Sequence, residues 1–209
     1  MLSYLFVKYA FFLSFGLGEV MTSMNGCLNN WQGGWLNGVK QMPSPNYNAR
    51  PEASKVNLLV IHNISLPPGQ FGSPYIEQFF QNKLSWDEHS YFKTIEGLEV
   101  SAHFLIKQKG ELVQFVSCHD RAWHAGASSF CGKDNCNDYS IGIELEGTDT
   151  APYTDAQYLA LVTLTKQLQL AFPEISASRI KGHLDIAPGR KTDPGESFDW
   201  PRYLNALCI

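Results

Sequence analysis

The sequence has no basic excess. Its 16 Lys and Arg are outnumbered by 20 Asp and Glu, for a net charge of −4. A surface that grips nucleic-acid phosphates shows as a clustered positive surplus, so nucleic acid is not an expected partner. A disulfide framework is equally poorly supported. The five cysteines, Cys27, Cys118, Cys131, Cys136 and Cys208, are odd in number and irregular in spacing, and free thiols in a reducing compartment are the expectation. No pair has the C-x-x-C spacing of a zinc ribbon; Cys131 and Cys136, with four residues between them, are only loosely suggestive. There is no internal repeat, no low-complexity tract and no HExxH.

A long uninterrupted apolar run is also missing. Met1–Gly18 is rich in Leu, Phe, Tyr and Val, but Lys8 interrupts it. The apolar stretch after Lys8 is too short to span a bilayer. A signal peptide carries its positive charge ahead of the apolar stretch and a small-x-small cleavage site behind it, and neither is clear. Met21 and Met24 offer alternative starts. Residues 1–28 are therefore read as an extension or a misassigned start, disordered or removed, and no stable membrane anchor is expected.

The composition is globular, 44% apolar and 17% charged, over 209 residues. That is enough for one domain with a substantial core. Residues 21–56 read as an irregular lead-in. NLLVIH (57–62), residues 102–107 and 111–116, and YSIGIEL (139–145) read as strands. Lys109-Gly110 supplies a hairpin turn. Residues 73–83 suggest a helix with Pro74 in its first turn, and 84–99 give no clear pattern. Asp120–Asp138 reads as one long loop, of the kind that often carries function. Thr154 and Gln157 fit a capping box opening a helix with Tyr158, Leu161, Val162, Thr165, Leu168 and Leu170 at roughly helical spacing, ending near Phe172 before Pro173. Residues 180–182 suggest a short strand, and Asp199 caps a last helix. Strands alternating with helices predict an α/β single domain, residues 29–209, with a central mixed sheet flanked by helices.

Two of the six histidines stand where strands give way to loops. His62 closes one strand and His183 comes directly after another. Asp193, ten residues after His183 across a Pro/Gly-rich loop, offers a carboxylate. Two imidazoles and one carboxylate suit zinc and leave a fourth tetrahedral position open, although this spacing alone does not prove a site. Glu144 interrupts an apolar strand, where a charge is costly unless solvated, paired or functional. Alternation puts it with Gly142, opposite Ile141, Ile143 and Leu145. It is a candidate general base, and Glu146, on the same face, competes for the role. Lys191 would be held near Asp193, where an ammonium can stabilise an oxyanion. Trp123 and His124 would offer an aromatic wall to a sugar or peptide.

At these residues the sequence resembles a known family, the type 2 N-acetylmuramoyl-L-alanine amidases, relatives of peptidoglycan recognition proteins and phage amidase lysozymes. The resemblance is strongest to their cytosolic wall-recycling branch, whose substrates carry a 1,6-anhydro sugar. It rests on PSPNYNARP (43–51), VIHNISLPPG (60–69), VSAHFLI (100–106), RAWHAG (121–126), CNDYSIGIELEGTDT (136–150) and GHLDIAPGRKTDPG (182–195), spread over residues 43–200. It implies Zn2+ bound by His62, His183 and Asp193 in a cleft at the strand ends. It implies Glu144 as acid/base, Lys191 as oxyanion stabiliser, and Asn63 and Trp123 as substrate contacts. His103 is read as a strand residue near the site and not a ligand. The substrate would be a muropeptide cut between the muramic lactyl group and the first alanine. The enzyme is expected to be a cytoplasmic monomer, or periplasmic if the apolar N-terminus works as a signal. A recognition module that binds without cutting and an exported lytic amidase are the alternatives. Glu99 and Asn135 stand where the family would place basic residues, which leaves the exact substrate preference open.

Overall fold

A computed structural model describes residues 30–208, so the expectations for the first 28 residues lie outside the described part. The centre is one six-stranded sheet. Its strands are β1 (Lys40–Gln41), β2 (Leu58–Ile64), β3 (Phe104–Ile106), β4 (Leu112–Gln114), β5 (Ser140–Glu146) and β6 (Ile180–Gly182), in the spatial order β6-β2-β5-β3-β4-β1. All neighbours run parallel except β3 and β4, which form an antiparallel hairpin. The predicted mixed sheet is therefore present. At the hairpin, Gly110 donates to the Lys107 carbonyl at 2.8 Å with φ +80, a backbone state that costs glycine little.

The two seven-residue strands, β2 and β5, are the most apolar and lie side by side. Their side chains divide by the two-residue period of a strand. Leu59, Ile61, Ile141, Ile143 and Leu145 form one core with Leu161, Leu164 and Leu168 of the long helix Asp155–Ala171. On the other face, Leu58 and Val60 meet Ala125, Cys136, Tyr139 and Ile186. Each fully buried Leu or Ile is worth about 1.5–3 kcal/mol. A one-residue slip would drive His62 and Glu144 into the helix-facing core, so the register is strongly specified.

Helix α1 is Tyr75–Phe80, α2 is Asp155–Ala171, α3 is the single turn His183–Ile186 and α4 is Trp200–Leu207. The capping box at α2 is formed: Thr154 Oγ1 accepts from the Gln157 N–H and Gln157 Oε1 accepts from the Thr154 N–H, both at 3.1 Å. The buried stripe of α2 is Tyr158, Leu161, Leu164, Thr165 and Leu168. Leu170, expected on that stripe, is exposed, because it stands two residues, about 200° of helix, beyond Leu168.

Two stretches hold more structure than expected. In the lead-in, Lys40–Gln41 adds an edge strand beside β4, and Tyr47–Asn48 pairs with Arg121–Ala122. Two-residue strands have no periodicity to read. The loop 120–138 carries a small hairpin, Ser129–Phe130 with Lys133–Asp134. The loop is clamped by the half-buried Arg50, whose guanidinium donates to the carbonyls of Asn137, Asp138, Cys118 and Ser140 at 2.9–3.3 Å. Residues 84–99 contain a 3-10 helix, Ser90–Ile95. Cys131 is exposed and Cys136 is buried with its Sγ 3.2 Å from the Tyr139 hydroxyl, and neither is in a disulfide.

Candidate active site

Parallel pairing of β2, β5 and β6 brings their C-terminal ends to one edge, where open α/β sheets place their ligand clefts. Glu144 is in register with His62, and Gly182 with Ile61. His62, Glu144 and His183 therefore reach the same edge at one level. Asp193 joins them because the Leu184 N–H, in the turn begun by His183, donates to the Asp193 carbonyl at 3.0 Å. Gly182 lets this loop lie close, since a Cβ there would sit 2.8 Å from Pro194 Cδ.

The three side chains expected as ligands converge. His62 Nδ1 is 2.9 Å from His183 Nδ1 and 3.1 Å from Asp193 Oδ2, and the third edge of the triangle is 3.0 Å. It is the one group of three or more His, Cys, Asp or Glu arranged to hold a metal among the described residues. The outer nitrogen of each imidazole faces a protein partner. His183 Nε2 lies 3.0 Å from the Ala125 carbonyl, which can only accept, so Nε2 carries the proton and Nδ1 presents a lone pair. His62 Nε2 lies 2.9 Å from His124 Nδ1. Both His62 and His183 are buried. Burial lowers His62 to about 4, against the opposing pull of Asp193, so the ring is neutral near pH 7. Burial pushes Asp193 upward, but the two imidazoles outweigh it and keep the group ionised. Two imidazoles and a carboxylate aimed at one point form a donor set for a divalent metal. About 2.0–2.1 Å per bond in a tetrahedral zinc site would put the donors about 3.3 Å apart, within a few tenths of the observed edges.

Glu144 lines the same cleft, and its Oε2 is buried with no hydrogen-bond partner. Burial, then the negative charge of Asp193, raise it well above the ordinary carboxylate range, with Lys191 opposing. Glu146, the competing carboxylate, is committed elsewhere: it accepts from the Gly72 N–H at 2.6 Å and the Gln108 N–H at 3.1 Å. Lys191 is exposed on the rim. The cleft encloses about 370 Å³, a size suited to part of a small ligand. Tyr91, Ile95, Leu98 and Val100 give it an apolar arm, so the segment without a clear sequence pattern forms a wall.

Both expected substrate contacts line the cleft. Asn63 donates to Asp149 Oδ1 at 2.8 Å and Trp123 Nε1 donates to Asn48 Oδ1 at 2.7 Å, so both side chains are held in place. His124 lines the cleft beside Trp123, as expected, but its ring is also tied into the protein. Both ring nitrogens are engaged with protein, Nδ1 with His62 and Nε2 with Ser140 Oγ at 3.2 Å. A loop sequence gives no indication of which way such a ring turns. His103 precedes β3 by one residue, and its Nδ1 accepts from the Gly142 N–H at 3.0 Å; it is buried behind the site and outside the donor triangle. Arg50 and Asn137, which hold the 120–138 loop, lie within two of the resembling stretches, but neither residue type by itself points to this role. Glu99 and Asn135 are exposed and do not line this cleft.

An N-acetylmuramoyl-L-alanine amidase family model matches residues 52–196. The chain belongs to that family. This amidase is 54% identical over 176 residues to the 1,6-anhydro-N-acetylmuramyl-L-alanine amidase AmpD of Salmonella typhimurium (strain SL1344), covering 84% of this chain and 94% of that one. It is 54% identical over 170 residues to AmpD of Escherichia coli (strain K12), covering 81% and 92%. A crystal structure of a selenomethionine derivative of AmpD superposes with a TM-score of 0.82 at 52% identity, covering 84% of this chain and 98% of that one. The amidase AmiD from E. coli, in complex with anhydro-N-acetylmuramic acid-L-Ala-D-gamma-Glu-L-Lys, matches with a TM-score of 0.54 at 30% identity, covering 75% and 60%.

Proposed function

We propose that this amidase hydrolyses the bond between the lactyl group of 1,6-anhydro-N-acetylmuramic acid and L-alanine of the stem peptide, using zinc held by His62, His183 and Asp193. The observation that carries the reading is the triangle of acceptor atoms with an unpartnered carboxylate, Glu144, at the same strand level. Bound there, zinc would supply a Lewis acid that lowers the pKa of a water and polarises a carbonyl, and its positive charge would favour the ionised form of Glu144 against the burial and the Asp193 charge that raise its pKa.

The protein's own groups do the rest. Glu144 accepts the proton of the water that attacks the lactyl carbonyl carbon, then gives it to the alanine nitrogen as the C–N bond breaks. The Lys191 ammonium stabilises negative charge developing on the carbonyl oxygen. Trp123 and Asn63, each fixed by its own hydrogen bond, bound the space where sugar and peptide lie. The apolar arm excludes water on one side. The relatives named for the anhydro-muramyl substrate, and AmiD with such a substrate bound, support the assignment of substrate class. A monomer acting in the cytoplasm fits a recycling role, and no described helix is long and apolar enough to cross a membrane.

Product analysis by mass spectrometry tests this reading. Anhydro-muropeptides and intact peptidoglycan are offered side by side, with and without a chelator. Chelator-sensitive release of free peptide from the anhydro-muropeptides supports it. Preferential cleavage of intact wall points to an exported lytic enzyme, and binding without cleavage to a recognition module.

A further inference from the structure

We propose that His124 is a positioning residue for the metal centre: it accepts a hydrogen bond from His62 Nε2–H and so keeps the His62 Nδ1 lone pair turned toward His183 and Asp193. This role rests on the metal site proposed for His62, His183 and Asp193. For His183 the nearer outer partner is the Ala125 carbonyl at 3.0 Å, which can only accept and so favours the Nε2–H tautomer, while the donor Arg190 Nη2 stands farther off at 3.3 Å. For His62 the outer partner is another imidazole, 2.9 Å away, so the direction of that bond depends on what His124 does at its far side.

Two directions are possible. If the Ser140 hydroxyl accepts from His124 Nε2–H, then His124 Nδ1 has the lone pair and His62 Nε2 must donate. His62 Nδ1 is then bare, as a metal ligand requires. If Ser140 donates instead, His124 Nδ1–H points at His62 Nε2, and the His62 proton moves to Nδ1, into the centre of the triangle. Only the first direction agrees with three converging ligands. The chain Ser140–His124–His62 therefore carries to His62 the orientation that Ala125 gives directly to His183.

The structure makes a fitted slot for this ring. The His124 backbone N–H donates to Asn137 Oδ1 at 3.1 Å, and the neighbouring Ala125 N–H to the same oxygen at 2.8 Å. The ring lies over Gly142 of β5, where a Cβ would stand 2.5 Å from His124 Nδ1 and 2.6 Å from Cγ. Any other residue at 142 would push the ring off His62. The missing side chain two positions before Glu144 is thus explained by the imidazole that fills its place.

Two variants separate hydrogen bonding from packing. His124→Phe keeps a ring over Gly142 but has no acceptor. His124→Asn loses the ring but keeps an acceptor near the Nδ1 position. Zinc affinity of the full-length protein, stripped of metal, is measured by competition with a chromophoric chelator. The His62 tautomer in the metal-free state is read from its ring nitrogen NMR shifts. His124→Phe is expected to weaken zinc binding by about 10–100-fold and to populate the Nδ1–H form of His62. His124→Asn is expected to retain most of the affinity. Unchanged affinity in His124→Phe, or equal losses in both variants, would overturn the inference while the metal site stood. A wild-type protein that takes up no zinc would overturn the metal site first, and this inference with it.

Discussion

Replacing Glu144 by glutamine should separate what the residue does for the reaction from what it costs the fold. The amide is nearly isosteric, so the triangle of His62, His183 and Asp193 stays intact and zinc content should not change. What disappears is the proton acceptor. General acid–base assistance is worth about 10²–10⁴-fold, so kcat should fall by that factor, or about 2.7–5.4 kcal/mol of barrier at ~1.36 kcal/mol per decade. Stability should move the other way. In the metal-free protein Glu144 Oε2 is buried without a partner; the amide leaves a polar atom there but removes the charge, whose burial is the penalty that the raised pKa reports. The variant should therefore melt higher at pH 7, at roughly 2–4 °C per kcal/mol for a chain of this size. The folded-state pKa of Glu144 is raised above its ordinary value of 4.5. Between the two values the unfolded chain binds fewer protons than the folded one, so this group's contribution falls as pH rises. The stability gap between variant and wild type should close below pH 4 and widen toward pH 7. Steady-state kinetics, metal analysis and calorimetry of the stripped protein read the three quantities. A variant within tenfold of wild-type kcat would refute the acid/base role, and identical melting curves at pH 7 would refute the effect ascribed to burial.

Three further outcomes are expected. Lys191→Ala should lower kcat by about 10²–10³-fold with metal content unchanged, the loss typical of one oxyanion partner; loss of metal in parallel would mean that Lys191 supports the ligands. Asn137→Ala removes the acceptor of two backbone N–H groups, and should destabilise the protein by about 1–3 kcal/mol in thermal or denaturant melts; an unchanged midpoint would show that water replaces the amide. The metal-free Glu144→Gln variant, which lacks the opposing contribution of Glu144, should lose stability as pH falls from 6.5 toward 4. Burial lowers His62 to about 4 and His103 to about 3, so in that window the unfolded chain binds protons that the folded one does not, and a flat melting profile would contradict this.

Much of the scaffold is legible in the sequence because long elements leave periodic traces. NLLVIH and YSIGIEL form the two central strands, and the Thr154–Gln157 pair marks the start of α2 within one residue. Alternation along β5 places Glu144 and Gly142 together, away from the helix-facing core. The edge strand Lys40–Gln41 and the pairing of Tyr47–Asn48 with Arg121–Ala122 are not legible, since two residues carry no period and their partners lie far along the chain. The donor set is only partly legible from residue chemistry. His62 and His183 stand 121 positions apart, and parallel strand register unites them, which spacing does not encode; family resemblance supplies the rest. The role of His124 is hidden because a loop fixes a ring through distant groups, here Asn137, Ser140 and the space left by Gly142.

The most direct test of a zinc-dependent amidase is stepwise return of zinc to the stripped protein while peptide release from an anhydro-muropeptide is followed. The expected result is no activity without metal, a linear rise that ends at one equivalent, and no recovery in His183→Ala, which should also fail to retain zinc. Full activity in the stripped protein, or a His183→Ala variant that still binds one zinc and turns over, would contradict it.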